Sequence, residues 1–434
     1  RETLAIEGAL TVASSTELAR FLEWAEGHHA PVPRVMRAVA IVLPLTTWIL
    51  AALFVTGVTD TAWWLITIGI SMVVSYAFAK PMYEVFARVT VGQSALERYA
   101  TMLSQACHAR WAAPALVKLQ TTMCVGGEAP AAVAHLARLA GWSQLWIAAA
   151  ILHFPIQMLT LWDFHVHFAI ERWRARSGRH VRGWIDALGS TDALATLAMI
   201  RADEPDWTFP RVDADRAALE AAALGHPLIL PGRRVANDVQ VGPRGTLLLI
   251  TGSNMSGKST LLRAVGVNAV LAEAGAPVCA ASLRMPPCDI QTSIRIQDSL
   301  ERGVSYFMAA LARLKRVIDA AEEDAAARRA GEDRVLFYLL DEILQGTNSA
   351  ERGIAVQAVA RHLLDAGAIG AMSTHDLNLA SEEPLKSHAR LVHFTEIVDP
   401  DGTMRFDYRL REGIATSRNA LRLMKLIGID VAQP

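Results

Sequence analysis

The run ITGSNMSGKST, from Ile250 to Thr260, places two glycines, a lysine and a hydroxyl at the spacing G-x-x-x-x-G-K-[ST]. That spacing suits a phosphate ligand. Gly252 and Gly257 permit backbone geometry and a close approach that a side chain would obstruct, so the amides of Ser253, Asn254, Met255 and Ser256 can turn toward phosphate oxygens. Lys258 supplies positive charge for the terminal phosphates, the Ser259 hydroxyl suits Mg2+, and the helix that begins near Thr260 aims its N-terminal dipole at the same anion. Farther on, Asp341 and Glu342 end the apolar run VLFYLLDE. Asp341 suits the Mg2+ shell, and Glu342 suits activation of an attacking water. His375, in AIGAMSTHD, is placed to sense or position a terminal phosphate.

This chemistry requires particular elements. Thr246–Ile250 (TLLLI) is strand-like and feeds the glycine loop, and TLLRAVGVNAVLAEAG continues it as a helix. Val335–Glu342 is a continuous apolar strand of the kind buried in a parallel sheet, and Ala368–Thr374 is a further strand ending beside His375. Residues 206–434 therefore read as an α/β nucleotide-binding domain. The first half differs. Val35–Gly57 and Ala62–Ala79 are long apolar runs, free of charge beyond Arg37, and predict a transmembrane helical hairpin over 35–80; two buried core helices are the alternative. Arg34 and Arg37 before the first run, with Lys80 and Arg88 after the second, place both ends in the cytoplasm. That leaves 1–34 as an N-terminal cytoplasmic helical segment and 81–205 as a helical lever or connector.

A third apolar stretch, Trp142–Trp162, holds Gln144, His153, Pro155 and Gln157. One extra span would carry everything after it away from cytosolic ATP, and the stretch is too short for two spans, so a buried or interface-lying helix is expected. Arg172, Arg174, Arg176, Arg179 and Arg182 follow it; a solvated helix end, lipid headgroups and a nucleic-acid backbone are all open readings. Asp163 and His167 share a helical face, but two ligands do not make a metal site.

The chain has 434 residues, enough for two or three domains, with a formal charge of -1 that excludes a global basic field. Its four cysteines (Cys107, Cys124, Cys279, Cys288) lack C-x-x-C spacing and read as reduced packing residues. It begins at Arg1 and stops at Pro434 just after a helical pattern, so residues beyond either end are allowed for.

The order ITGSNMSGKST, ERGVSYF, LLDEILQGTNS, STHD resembles the ATPase domain of the MutS family, a branch of the ABC-type P-loop ATPases, over about Asp206 to Pro434. NMSGKST, LLDEILQGTNSAERG and REGIATSRNALRLMKLIGI resemble in particular the small membrane-attached MutS-related proteins of bacteria. The resemblance implies ATP and Mg2+ as cofactors and a homodimer with two composite sites. Ser305 would reach the partner's nucleotide in trans, and Asn348 and Ser349 would match the loop crossing the same interface. It also implies an inner-membrane ATPase with its catalytic domain in the cytoplasm. The sequence departs from the family in three ways. It has no Gly-Asp-Phe-Tyr-Glu-like wedge, since Phe21-Leu22-Glu23 lies in an amphipathic helix pattern. Arg233-Arg234 stands where an apolar or aromatic residue would face the adenine, and 81–205 is short for clamp helices.

Three functions are compatible with this reading. The first is a membrane-anchored ATPase whose closing and opening dimer pulls on the connector, acting on an unknown protein partner. The others are a mismatch-repair-type clamp on DNA and the ATPase component of a transport or remodelling complex.

Overall fold

The computed structural model describes residues 15–27, 33–90, 93–124, 128–253, 255–294, 306–331, 335–344, 349–399 and 404–414. It divides into two compact units, Arg1–Thr196 and Leu197–Pro434.

Among its described residues the first unit is helical. An amphipathic helix, Ser15–Glu26, buries Leu22 and Trp24, and Trp24 stacks on Trp173 with the rings 6.3 Å apart. Phe21-Leu22-Glu23 is thus part of a packed helix. The helices Arg34–Val55 and Trp64–Thr90 are long and apolar enough to cross a membrane, and each leaves most of its apolar surface outside the protein interior. They are joined by polar contacts as well as packing: Thr47 Oγ1 lies 2.9 Å from Thr67 Oγ1. Helices Gln93–His108, Pro114–Cys124 and Glu128–Ser143 form a bundle whose core includes Leu103, Leu136 and Leu139. The helix Trp162–Asp203 adds Ile170, Trp173 and Trp184 to that core.

Two expectations change here. Cys107 and Cys124 are not free packing thiols, because the structure joins them as a disulfide between two neighbouring helices. Cys279 and Cys288 are free and buried. The third apolar stretch, expected as a single buried or interface-lying helix, folds as two, Leu145–Ala148 and Ala150–Thr160, and with Ile151 94% exposed it is not buried as a whole, which removes the first of those alternatives and not the second.

The second unit is built on a six-stranded sheet. The strands, in chain order, are β1 (Arg211–Val212), β2 (Leu219–Leu224), β3 (Asn237–Val241), β4 (Leu247–Thr251), β5 (Ser282–Met285), β6 (Cys288–Ser293), β7 (Val335–Asp341), β8 (Ile369–Thr374), β9 (Ala389–His393), β10 (Glu396–Val398), β11 (Met404–Phe406) and β12 (Arg411–Glu412). The main sheet runs β12-β9-β4-β8-β7-β6, with β9, β4, β8, β7 and β6 parallel and β12 antiparallel at one edge. A smaller sheet runs β1-β5-β2-β3, and β10 pairs with β11.

Alternation along each strand supplies two faces. Leu248, Ile250, Phe337 and Leu339 face one core, shared with the helix Lys258–Glu273. Leu247, Leu249, Leu336 and Tyr338 face the other, with the helices Tyr306–Arg329 and Ser349–Asp365. Covering both faces explains why β4 and β7 are almost wholly apolar, since neither strand presents a face to water.

Candidate functional site

Register brings the strand tips together. Thr251 of β4 pairs with Thr374 of β8, and Ser373 of β8 pairs with Asp341 of β7. Residues far apart in the chain therefore leave the sheet at one edge, where open α/β sheets place their ligands.

The loop after β4 needs its glycines. Gly252 has φ 144°, and a Cβ there would stand 2.8 Å from the Phe394 carbonyl oxygen and 2.9 Å from Ser256 Oγ. Gly257 has φ 114° and immediately precedes the helix that starts at Lys258. Both positions are closed to ordinary side chains by backbone conformation. Ser253 Oγ donates to Glu396 Oε2 at 2.9 Å, tying the loop to β10. Ser256 Oγ is buried without a hydrogen-bond partner among the described residues. Met255 is exposed, Ser259 half-buried and Thr260 exposed.

Lys258 is 4% exposed; its Nζ donates to the carbonyl oxygens of Gly252 and Ser253, both at 2.9 Å, and lies 3.2 Å from Glu342 Oε1. His375 Nδ1 is 3.8 Å from the same carboxylate oxygen. Glu342 follows β7 with a left-handed backbone (φ 43°), a conformation that costs a non-glycine residue about 1–3 kcal/mol. Its amide donates to Ser373 Oγ at 3.1 Å, and Ser373 Oγ donates to Asp341 Oδ1 at 2.6 Å, so one serine braces both acidic residues. Lys258, Glu342 and His375 are therefore brought together, with Asp341 on the strand behind them. Asn254, Ser305 and Asn348 lie outside the described residues; Ser349 begins the helix Ser349–Asp365.

A cavity of about 690 Å³ opens over the loop and is lined by Met255–Leu261 and Glu342, by His226, Arg233, Arg234, Val235 and Asn237, and by Phe394 and Tyr408, whose rings stand against Gly257. Its volume lies in the range of small-molecule sites. Tyr408 stands on a left-handed turn (φ 55°) that Asn237 holds from both ends. Asn237 Nδ2 donates to the Tyr408 carbonyl at 3.0 Å, and its Oδ1 accepts from the Leu410 amide at 2.7 Å. Next to Tyr408, a hydrogen bond from Arg411 keeps the Asp407 carboxyl below its usual value. Burial, then the charges of Arg263 and Arg234, lowers the His226 pKa and favours a neutral ring at the cavity wall.

Arg233 and Arg234 both line the cavity, as their place in the sequence leads one to expect; Arg234 is held there by its Nε, which donates to the Ile229 carbonyl at 2.9 Å, with its guanidinium over Trp207 at 5.7 Å. Tyr408, Phe394 and Asn237 are not legible from sequence, because each is a single residue without a spacing motif.

Among the described residues no group of three or more His, Cys, Asp and Glu side chains could hold a metal ion. Ser259 and Asp341 supply hard oxygen donors, which suits an ion that takes its remaining ligands from phosphate and water, as Mg2+ does.

The arginine segment divides by partner. Arg174 donates to the Gly27 carbonyl at 3.0 Å and lies over Trp24, and Arg182 makes a bidentate contact with Glu26. Arg172, Arg176 and Arg179 are exposed at i, i+4 and i+7, on one side of the helix Trp162–Asp203. Asp163 accepts from Tyr83 and contacts His153, so it is engaged within the protein.

Residues 248–432 match the family model MutS domain V. The chain is 29% identical over 271 residues to a DNA mismatch repair protein MutS 2 from Halobacterium salinarum, covering 62% of this chain and 30% of that protein. It is 31% identical over 250 residues to a DNA mismatch repair protein MutS from Natronomonas pharaonis, covering 57% and 28%. A DNA mismatch repair protein MutS from Myxococcus xanthus is 32% identical over 261 residues, covering 57% and 27%. The chain thus spans under a third of the length of these relatives.

Proposed function

Because the chain belongs to the MutS family through its domain V, we propose that it is a membrane-anchored ATPase that binds and hydrolyses Mg-ATP between two copies of itself. The observation that carries this reading is that Lys258 and Glu342, 3.2 Å apart, line a cavity together with Met255–Thr260, with His375 3.8 Å from the same Glu342 oxygen. In it, loop amides and Lys258 hold the phosphates, and Glu342 takes a proton from the water that attacks the terminal phosphorus. His375 orients that phosphate. Ser259 and Asp341 hold Mg2+, which offsets phosphate charge when bound.

By the family resemblance, Ser305 enters the partner's site, with Asn348 and Ser349 at the same interface. Binding of ATP to the closed pair in preference to the open one supplies the force. The exposed apolar helices Arg34–Val55 and Trp64–Thr90 support delivery of that force at a membrane.

Tyr408 gives the base side of the cavity. Tyr408→Ala is expected to raise the Kd for ATP about 2- to 13-fold, in line with the ~0.5–1.5 kcal/mol of an aromatic stack, and to leave the Kd for tripolyphosphate unchanged. Isothermal titration of both ligands checks this; equal weakening of the two would place Tyr408 outside base binding.

The relatives' role as mismatch repair proteins supports a second reading, in which the chain contacts DNA, and the Arg172, Arg176 and Arg179 stripe favours it. Removing all three charges is expected to weaken duplex binding and to make the slope of log K against log salt shallower by about 2 to 3. Unchanged or salt-independent binding by the triple variant would remove DNA from the account. Arg174 and Arg182 are poor choices for this test, since their loss would loosen the Ser15–Glu26 helix.

A further inference from the structure

We propose that Leu145–Thr160 is a re-entrant membrane segment, with Ile147, Ile151, Leu152 and Phe154 in lipid acyl chains and the chain entering and leaving on the side of Arg34 and Lys80. The inference rests on the reading of the Arg34–Thr90 hairpin as membrane-spanning.

The segment is inside out for a water-soluble protein. Ile147, Ile151, Leu152 and Phe154 are 64%, 94%, 57% and 60% exposed, whereas its polar side chains His153 and Gln157 are 9% and 4% exposed. Each of those polar groups is satisfied by protein, as a bilayer demands. Gln157 Nε2 donates to Ser75 Oγ at 3.0 Å, and Gln157 Oε1 accepts from the Asp163 amide at 2.9 Å. His153 Nε2 lies 3.0 Å from Asp163 Oδ1, and the other carboxylate oxygen accepts from Tyr83 at 3.2 Å. Ionisable groups in such places face the helix bundle and pair with one another.

Contacts to the hairpin set the depth. Gln157 meets Ser75, and the Leu159 carbonyl accepts from Trp48 Nε1 at 3.2 Å. At 1.5 Å per residue, Ser75 lies about 8 Å inside Lys80 and Trp48 about 16 Å inside Arg37, whereas Tyr83, which meets Trp146 and Asp163, lies about 4 Å outside Lys80, so the segment enters at Trp146 and is deepest toward its C-terminal end. Ala150–Thr160 has 11 residues, about 16 Å of helix, and cannot cross a bilayer. It ends at Leu161, whose left-handed backbone (φ 50°) reverses the chain into the helix Trp162–Asp203. Leu161 is buried with Ala40, Met82 and Phe164. At the segment's two ends Trp142 and Trp162 meet edge to face, 6.2 Å apart, and Trp146 packs on Tyr83. Indoles are enriched at the level of lipid headgroups.

The test uses the full chain in vesicles of phosphatidylethanolamine and phosphatidylglycerol, doped with a phosphatidylcholine bearing a diazirine in mid-acyl chain. Photolysis and peptide mass spectrometry then locate the adducts. The expected result is labelling at Ile151, Leu152 and Phe154 comparable to that at Ile41, Leu45 and Ile49 of the hairpin, with none at Leu194 and Met199, which are exposed but lie beyond the segment. Labelling of the hairpin alone would overturn the re-entrant segment and leave anchoring intact. Labelling of neither would overturn both.

Discussion

Glu342→Gln is expected to keep nucleotide affinity and lower turnover about 100- to 10,000-fold, the share of a positioned general base. The amide preserves the shape of the side chain, and the contact from the Glu342 backbone N–H to Ser373 Oγ does not depend on the carboxylate. What is lost is the group that accepts a proton beside Lys258 Nζ and His375. Comparing single-turnover hydrolysis with equilibrium binding of labelled ATP separates the two effects. Turnover near the starting value would move the base elsewhere, with His375, 3.8 Å from the Glu342 carboxylate, the next candidate.

Lys258→Ala is expected to act on binding first. Its ammonium is nearly enclosed and held by the Gly252 and Ser253 carbonyls, so it is preorganised where the loop amides converge. Truncating a buried charge that meets an oppositely charged ligand costs about 2–5 kcal/mol, a rise in Kd of about 30-fold or more. The variant also removes the ammonium 3.2 Å from Glu342 Oε1, so thermal unfolding should be measured alongside titration. A folded variant with unchanged affinity for ATP would refute the role of Lys258.

The legible parts of this chain were those written within one element. The glycine loop is a local pattern, and β4 and β7 announce themselves as apolar runs because both faces of the sheet are covered. The acidic pair reads from sequence because it ends such a run. Phe394, Tyr408 and Asn237 were not legible, since they reach the cavity from separate edges of the fold and their types fit any strand or turn. Charge counting also overstated the arginine segment, because two of its five members are spent on the Ser15–Glu26 helix. Hydropathy marked Leu145–Thr160 as apolar but could not tell which side faced outward; the buried His153 and Gln157 against the exposed Ile151 settle its polarity. The bond between Cys107 and Cys124 joins two helices whose pairing no spacing rule encodes.

The central claim is that two copies of the chain close around Mg-ATP. Its most direct test is the mass and nucleotide content of Glu342→Gln, purified in detergent and incubated with Mg-ATP. The expected species is a dimer retaining two ATP molecules, which returns to monomers when the metal is chelated. A monomer that holds ATP, or a dimer whose formation ignores nucleotide and metal, would contradict it.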